Sequence, residues 1–384
     1  MQYKVISADS HIVEPPHLWT KWLAPEFQKF APKLVKDPEG GDAWQYGEGI
    51  APAPIGLVGV KRGRKYEDAD YKWTGLRIDQ MNQGCFFGEP RLKEMAEDGV
   101  DAEVLYSPVR AAAHFMAPGN DEIALAGVQA YNNWLYDEFC APDHKRLIGL
   151  GLIPNIGIAG AVKELERIKA KGMKGCTIMA WPSGADNISP ADDEFWAAAE
   201  RLNIPVSIHI RLSGKEGVKA MTGGGGIISK VATPMHPLVT MSCTAFQDSP
   251  KLVAQLIFAG VFDRFPKLQF ILGETNVGWV PVFKELMDDH YLRDRHWSKC
   301  NLQRMPSTYW NSNFAATFII DKFGIKNRAD IGVNTICWST DYPHHRCDWL
   351  ESQRIISEHM QGVPDAERAA MLAGNAVRIY HLAD

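Results

Sequence analysis

"RLIGLGLIPNIGIAGAVKELERIKAKGMKGCTIMAWP", residues 146–182, holds one complete unit of the architecture. Its first part, RLIGLGLIP (146–154), is a short apolar run that predicts a buried strand. Then IAGAVKELERIKAKG (158–172) repeats apolar residues at helical spacing, and KGCTIMAWP (174–182) returns to a strand. Strand, helix, strand in that order predicts parallel pairing, since parallel neighbours need a crossover between them.

The same alternation runs outward from this unit. Strand-like runs recur at YKVISAD (3–9), DAEVLYSP (101–108), IPVSIHI (204–210), KLQFILGE (267–274), NSNFAATFI (311–319) and TICWSTDYP (335–343). Helical patterns fill 121–140, 192–203 and 249–266, the last ending at Pro266. Eight such strands in 384 residues predict an α/β chain folded as a (β/α)8 TIM barrel, with 1–384 as one domain. No GxGxxG follows the first strand and no Walker A pattern occurs, so an open nucleotide-binding sheet is a poor match. Two Gly- and Pro-rich or Gly-run segments, near 36–75 and 212–235, read as loop insertions. A lid over a site and a plain flexible loop are the two readings for them.

Hydrophobic residues make up 46% and charged residues 23%, a balance that supports a folded core and excludes a disordered chain. The net charge is −5 with no basic block, which argues against nucleic acid as a partner. No apolar stretch reaches about 18 residues, so no membrane partner is expected. The seven cysteines form no CxxC pair, and no basic segment followed by an apolar run opens the chain. Reduced thiols and a cytoplasmic location are the expectation.

Polar residues collect at the strand ends, where a barrel of this kind builds its active site. Asp9 and His11 end the first strand, with Glu14 just beyond. His209 ends the fifth and is followed by Arg211, Glu274 ends the sixth, and Asp341 ends the eighth, with His344 close behind. Singly, a histidine near a strand end reads as a hydrogen-bonded structural residue and an aspartate before a turn as its cap. Jointly, carboxylates converging on one mouth would repel and desolvate each other unless a cation lay among them. The set is therefore expected to hold a divalent metal. For Glu14 the competing reading is a carboxylate bonded to backbone amides, and for His344 a ring facing solvent or substrate. Trp181 and Tyr106, at the ends of the fourth and second strands, are expected to line a substrate pocket.

Taken together, DSHIVEPPHLW (9–19), MAEDGVDAEVLYSP (95–108), AGVFDRFPKLQFILGE (259–274), WSTDYPH (338–344) and MLAGNAVRIYHL (371–382) resemble the amidohydrolase superfamily. The resemblance is to the branch around aminocarboxymuconate semialdehyde decarboxylase. It implies a barrel with one or two divalent metals at its mouth. The family's first-strand ligand pair falls on Asp9 and His11, its fifth-strand histidine on His209 and its eighth-strand aspartate on Asp341. One position departs from the pattern. Decarboxylases of this branch carry a histidine after the sixth strand, and here Glu274 stands in that place.

The donors number seven: four carboxylates and three imidazoles. One tetrahedral zinc with an open position needs three, so a second ion is expected to use the surplus. Zinc, manganese and iron all suit the set. The first functional expectation is hydrolysis or non-oxidative C–C cleavage of a small organic substrate through metal-activated water. Asp341 would be the general base, with Glu274 and His209 also in the catalytic set, and Arg211 would anchor an anionic substrate. The second is a dinuclear iron or manganese–iron oxygenase, since a few amidohydrolase-like barrels, including a hydroxylase of 2-aminoisobutyrate, act that way. The third is a non-catalytic metal-binding subunit. A homo-oligomer, or a hetero-oligomer with a paralogous barrel, is expected.

Overall fold

The computed structural model describes residues 2–48, 50–64, 67–68, 71–116, 120–212 and 237–383. The segment expected as an insertion near 212–235 lies almost wholly outside them.

Eight strands form the barrel. They are β1 (Ile6–His11), β2 (Ala102–Tyr106) and β3 (Leu147–Gly149, resuming as Gly151–Leu152). They continue as β4 (Cys176–Thr177), β5 (Val206–His209), β6 (Phe270–Gly273), β7 (Phe314–Phe318) and β8 (Ile336–Trp338). Each pairs parallel with the next, from β1–β2 round to β7–β8. The ring closes just past β8, where Asp341 N donates to Asp9 O (3.1 Å) and His11 N to Tyr342 O (2.6 Å). The (β/α)8 barrel expected from the alternation is the fold of the chain.

The barrel interior is filled by Ile6, Ala8, Val104, Tyr106, Ile148, Leu150, Ile271, Ala315 and Cys337. Ala376 and Ile379 from the last helix, Asn375–Ile379, and Tyr380 just past its end complete this inner core. A larger apolar layer lies between the strands and the helices, among them Ile158–Lys171 and Asp193–Leu202. All seven cysteines are free thiols. No helix among the described residues is long and apolar enough to cross a membrane.

Two elements differ from expectation. The helix placed at 249–266 is Pro237–Phe258 followed by Val261–Arg264. Gly260 separates them at φ +67°, a left-handed conformation that ends a helix. Pro250 sits inside the longer helix rather than at its start. The insertion near 36–75 is not a plain loop. Its first half folds as a three-stranded antiparallel sheet of Lys33–Lys36, Asp42–Gln45 and Ala53–Pro54. The Asp37 carboxylate pins it by accepting from the amides of Glu39 (2.8 Å), Gly41 (2.9 Å) and Gly75 (2.7 Å).

The β1 strand carries a bulge. Its register against β2 shifts between Ser7 and Ser10, so that Ile6 faces Ala102 but His11 faces Tyr106. One extra residue re-aims the side chains that follow it. Ser7 and Ser10 then share one face, with their hydroxyls 2.8 Å apart and each 3.3 Å from Thr340 Oγ1.

Arg91, fully buried on helix Gly88–Glu97, holds the seam from behind. Its Nη2 donates to His11 O (3.0 Å) and Tyr342 O (3.1 Å), its Nη1 to Gly84 O (3.0 Å) and its Nε to Glu103 (2.5 Å). Removing this guanidinium would leave Glu103 buried without a counter-charge. Arg91→Met is expected to cost about 3–5 kcal/mol in urea unfolding. Arg91→Lys should recover little of it, because an ammonium cannot reach four acceptors from one planar fork. An unchanged unfolding midpoint would mean that the seam closes without Arg91.

Candidate metal centre

The bulge in β1 brings Asp9 and His11 to the mouth of the barrel, where β5, β6 and β8 deliver His209, Glu274 and Asp341. Three of these strand ends turn through left-handed backbone at non-glycine residues: Ile210 (φ +62°), Glu274 (φ +54°) and Asp341 (φ +60°). Such a conformation costs of order 1–3 kcal/mol and persists where the surroundings impose it. A β-branched residue there, Ile210, is the least ordinary of the three.

His11 Nε2 lies 3.1 Å from Asp341 Oδ1 and 3.5 Å from Asp9 Oδ1. His209 Nε2 lies 3.5 Å from Glu274 Oε2 and 3.9 Å from Asp9 Oδ1. His344 Nδ1 is 3.1 Å from Asp341 Oδ1, and its ring stacks on His11 at 4.0 Å. Two sets of donor atoms each fall within 4.8 Å of one another: Asp9, His11 and His209, and His11, Asp341 and His344. His11 belongs to both.

Asp9 Oδ1, His11 Nε2, His209 Nε2 and both Asp341 carboxylate oxygens are buried without a hydrogen-bond partner among the described residues. Buried polar atoms are ordinarily satisfied, so a group of orphans facing one another calls for a ligand. Carboxylate and imidazole donors together fit a divalent cation.

The electrostatics agree. Burial drives His11 down to about 4, with the charge of His344 adding to it. Burial likewise lowers His209, so both rings are neutral and able to ligate at neutral pH. Burial raises Asp9, and the anions of Asp341 and Glu274 raise it further. Burial, then Asp341, raises Glu274. For Asp341, burial works upward, but His344 and His11 outweigh it and hold the carboxyl below its usual range. Burial disfavours the charged form of His344, yet Asp341 and Glu274 hold it above the ordinary imidazole value.

The remaining expected residues are placed as follows. Neither Glu14 nor Glu274 is in a donor set; Glu274 stands beside them, 3.5 Å from His209. Glu14 lies apart. It is buried and accepts from Tyr46 Oη at 3.1 Å. Tyr106 is buried below the mouth, its ring 6.0 Å from His11 and 5.5 Å from His209. Trp181 is buried and packs edge-on against Trp196. Arg211 is partly exposed and faces Asp248 at 3.7 Å.

Other residues carry the site without having been singled out. Thr317 on β7 donates to Asp9 Oδ2 (3.1 Å) and accepts from the amide of Glu274 (2.8 Å). Arg346 stands 3.8 Å from Glu274. Gly273 has no side chain where a Cβ would meet Asp9 Oδ2 at 3.0 Å and His209 Cδ2 and Tyr106 Cζ at 3.2 Å. A strand threonine or glycine has no mark in the sequence to separate it from a structural one. Arg346 does lie two residues past His344, and a cation beside so many acids was a usable signal.

A model of the amidohydrolase family (Amidohydro_2) matches residues 17–382. The chain belongs to this family. Gamma-resorcylate decarboxylase of Rhizobium sp. (strain MTP-10005) is 24% identical over 310 residues, which cover 77% of this chain and 87% of that protein. Amidohydrolase map2389c from Mycobacterium avium subsp. paratuberculosis K-10 superposes with a TM-score of 0.72 at 19% identity, covering 99% of this chain and all of that one. Dihydroxybenzoic acid decarboxylase from Polaromonas sp. JS666, solved with manganese and the inhibitor 2-nitroresorcinol, superposes with a TM-score of 0.63 at 17% identity, covering 100% and 98%.

Two outcomes are expected. Metal affinity, read by chelator competition, should fall as pH drops, because protons compete for Asp9, whose carboxyl is raised. Gly273→Ala should lower that affinity about tenfold by crowding Asp9 and His209 while leaving the fold intact by circular dichroism. Unchanged affinity in both experiments would remove these residues from the centre.

Proposed function

We propose that the chain catalyses metal-dependent, non-oxidative release of CO2 from a small aromatic acid. The observation that carries this reading is the set of orphaned donors on Asp9, His11, His209 and Asp341 at one barrel mouth. The decarboxylase activity named for the Rhizobium and Polaromonas relatives supports it.

Asp9, His11, His209 and Asp341 would hold the ion, with Glu274 as a further oxygen donor, and manganese is the favoured metal. A bound divalent ion supplies Lewis acidity to the substrate oxygens that meet it. The chain does the rest. Asp341 is ionised at rest, so the proton comes from His344, 3.1 Å away, and Asp341 relays it to the ring carbon that bears the carboxylate. The C–C bond then breaks, its electron pair returns to the ring, and CO2 leaves. Burial of the site excludes bulk water from the reacting carbon. Arg346 neutralises Glu274, the residue standing where related decarboxylases carry a histidine.

The test is CO2 release from 2,6-dihydroxybenzoate and its relatives, with and without oxygen. The expected result is activity that chelation abolishes, manganese restores and anaerobic conditions leave unchanged. Asp341→Asn should lower kcat by roughly 10²–10⁴-fold. Turnover that required oxygen would contradict the reading in favour of an oxygenase. The absence of CO2 from any hydroxylated aromatic acid would contradict it outright.

A further inference from the structure

β7 supplies no residue to either donor set, yet its Thr317, fully buried, reaches Asp9 on β1 and Glu274 just past β6. The amide of Glu274 donates to Thr317 Oγ1 (2.8 Å), and Oγ1 lies 3.1 Å from Asp9 Oδ2. A hydroxyl carries one proton, and an ionised carboxylate only accepts. With Asp9 ionised, as a metal ligand is, the proton of Thr317 has one place to go, and it points at Oδ2.

The two oxygens of Asp9 therefore differ. Oδ2 is bonded to Thr317 and lies 3.0 Å from where a Cβ on Gly273 would stand, so β6 and β7 wall it in. Oδ1 has no hydrogen-bond partner among the described residues and lies 3.5 Å from His11 Nε2 and 3.9 Å from His209 Nε2. One oxygen is engaged by the barrel wall, and the other faces the imidazoles of its donor set. Branching at Cβ restricts χ1 of a threonine, which limits where Oγ1 can lie. Its second bond runs to a residue held at φ +54°, so one hydroxyl ties the turn after β6 to the carboxylate on β1.

We propose that Thr317 is a positioning residue that makes Asp9 a one-oxygen ligand, with Oδ1 turned to the ion and Oδ2 held off it. This rests on the metal centre of the proposed function and not on decarboxylation itself. Thr317 acts through Asp9 and touches neither the ion nor the substrate. Without the hydroxyl, the carboxylate is free to rotate and offer both oxygens, as carboxylates do at divalent ions. A chelating Asp9 would fill a coordination position that catalysis needs open for substrate. Thr317 keeps that position free.

Manganese binding to the full chain tests this, read by chelator competition and by the electron paramagnetic resonance spectrum of the bound ion, which responds to its ligands. Thr317→Val keeps the side-chain shape and removes the hydroxyl. It should lower manganese affinity by about 10–100-fold and change the spectrum. Thr317→Ser should restore the wild-type spectrum and most of the affinity. An unchanged spectrum in Thr317→Val, whatever its affinity, would overturn the claim, since a purely structural threonine gives that result. So would a Thr317→Ser spectrum that matches Thr317→Val. A crystal structure of the wild type with manganese needs no variant to fold. It should show Asp9 bound through Oδ1 alone with Oδ2 on Thr317, and a chelating Asp9 would overturn the claim. A chain that meets these expectations but releases no CO2 keeps the role of Thr317 and loses the decarboxylase reading. A chain that releases CO2 while its spectrum ignores Thr317 does the reverse. A wild type that binds no manganese loses both.

Discussion

The hydrogen bonds between β1 and the turn after β8 close the barrel and set His11 beside Asp341 in the same step. His11 N binds Tyr342 O, Asp341 N binds Asp9 O, and Arg91 gathers His11 O and Tyr342 O from behind. The Ser7, Ser10 and Thr340 hydroxyls tie the bulge that turns Asp9 and His11 to the mouth. Most of these bonds involve the backbone. The positions of two donors from opposite ends of the sequence are thus fixed by closure itself, not by the flexibility of their side chains. A buried guanidinium bonded to carbonyls on both strands makes the seam stiff, because losing either strand would orphan its donors.

That stiffness matters because the mouth is electrostatically expensive. Asp9, Glu274 and Asp341 meet where burial disfavours each negative charge, and each raises or is raised by its neighbours. The left-handed backbone at Ile210, Glu274 and Asp341 adds strain at three of the converging strand ends. A divalent cation offsets the repulsion and satisfies the orphaned atoms together. In the proposed reaction the proton shared by Asp341 and His344 would lie next to the reacting group.

Much of this was legible in the sequence. Seven of the eight strands fall within the apolar runs that predict them, and β1 runs two residues past its own to His11, since a parallel barrel buries both faces of its strands and leaves a continuous apolar signal. Asp9, His11, His209, Glu274 and Asp341 were legible because a barrel fixes where a strand end must be. The bulge was not, because Ser7, Ala8, Asp9 and Ser10 look like any strand end. Arg91 sits in EPRLKEMAEDGV, a charged run that reads as a solvated helix, and only the fold reveals that it points inward. The sheet at 33–54 was masked by Gly and Pro, whose turns are what its short hairpins require. Glu14 was legible as a buried acid, but its company of Tyr46 depends on an element far away in the chain.

The central claim is that one buried donor set holds a divalent ion. Anomalous diffraction from crystals grown with manganese tests it most directly. The account predicts a peak at the metal edge bonded to His11 Nε2, His209 Nε2 and the carboxylates of Asp9 and Asp341. No peak at that position, or a peak bound elsewhere on the chain, would contradict it.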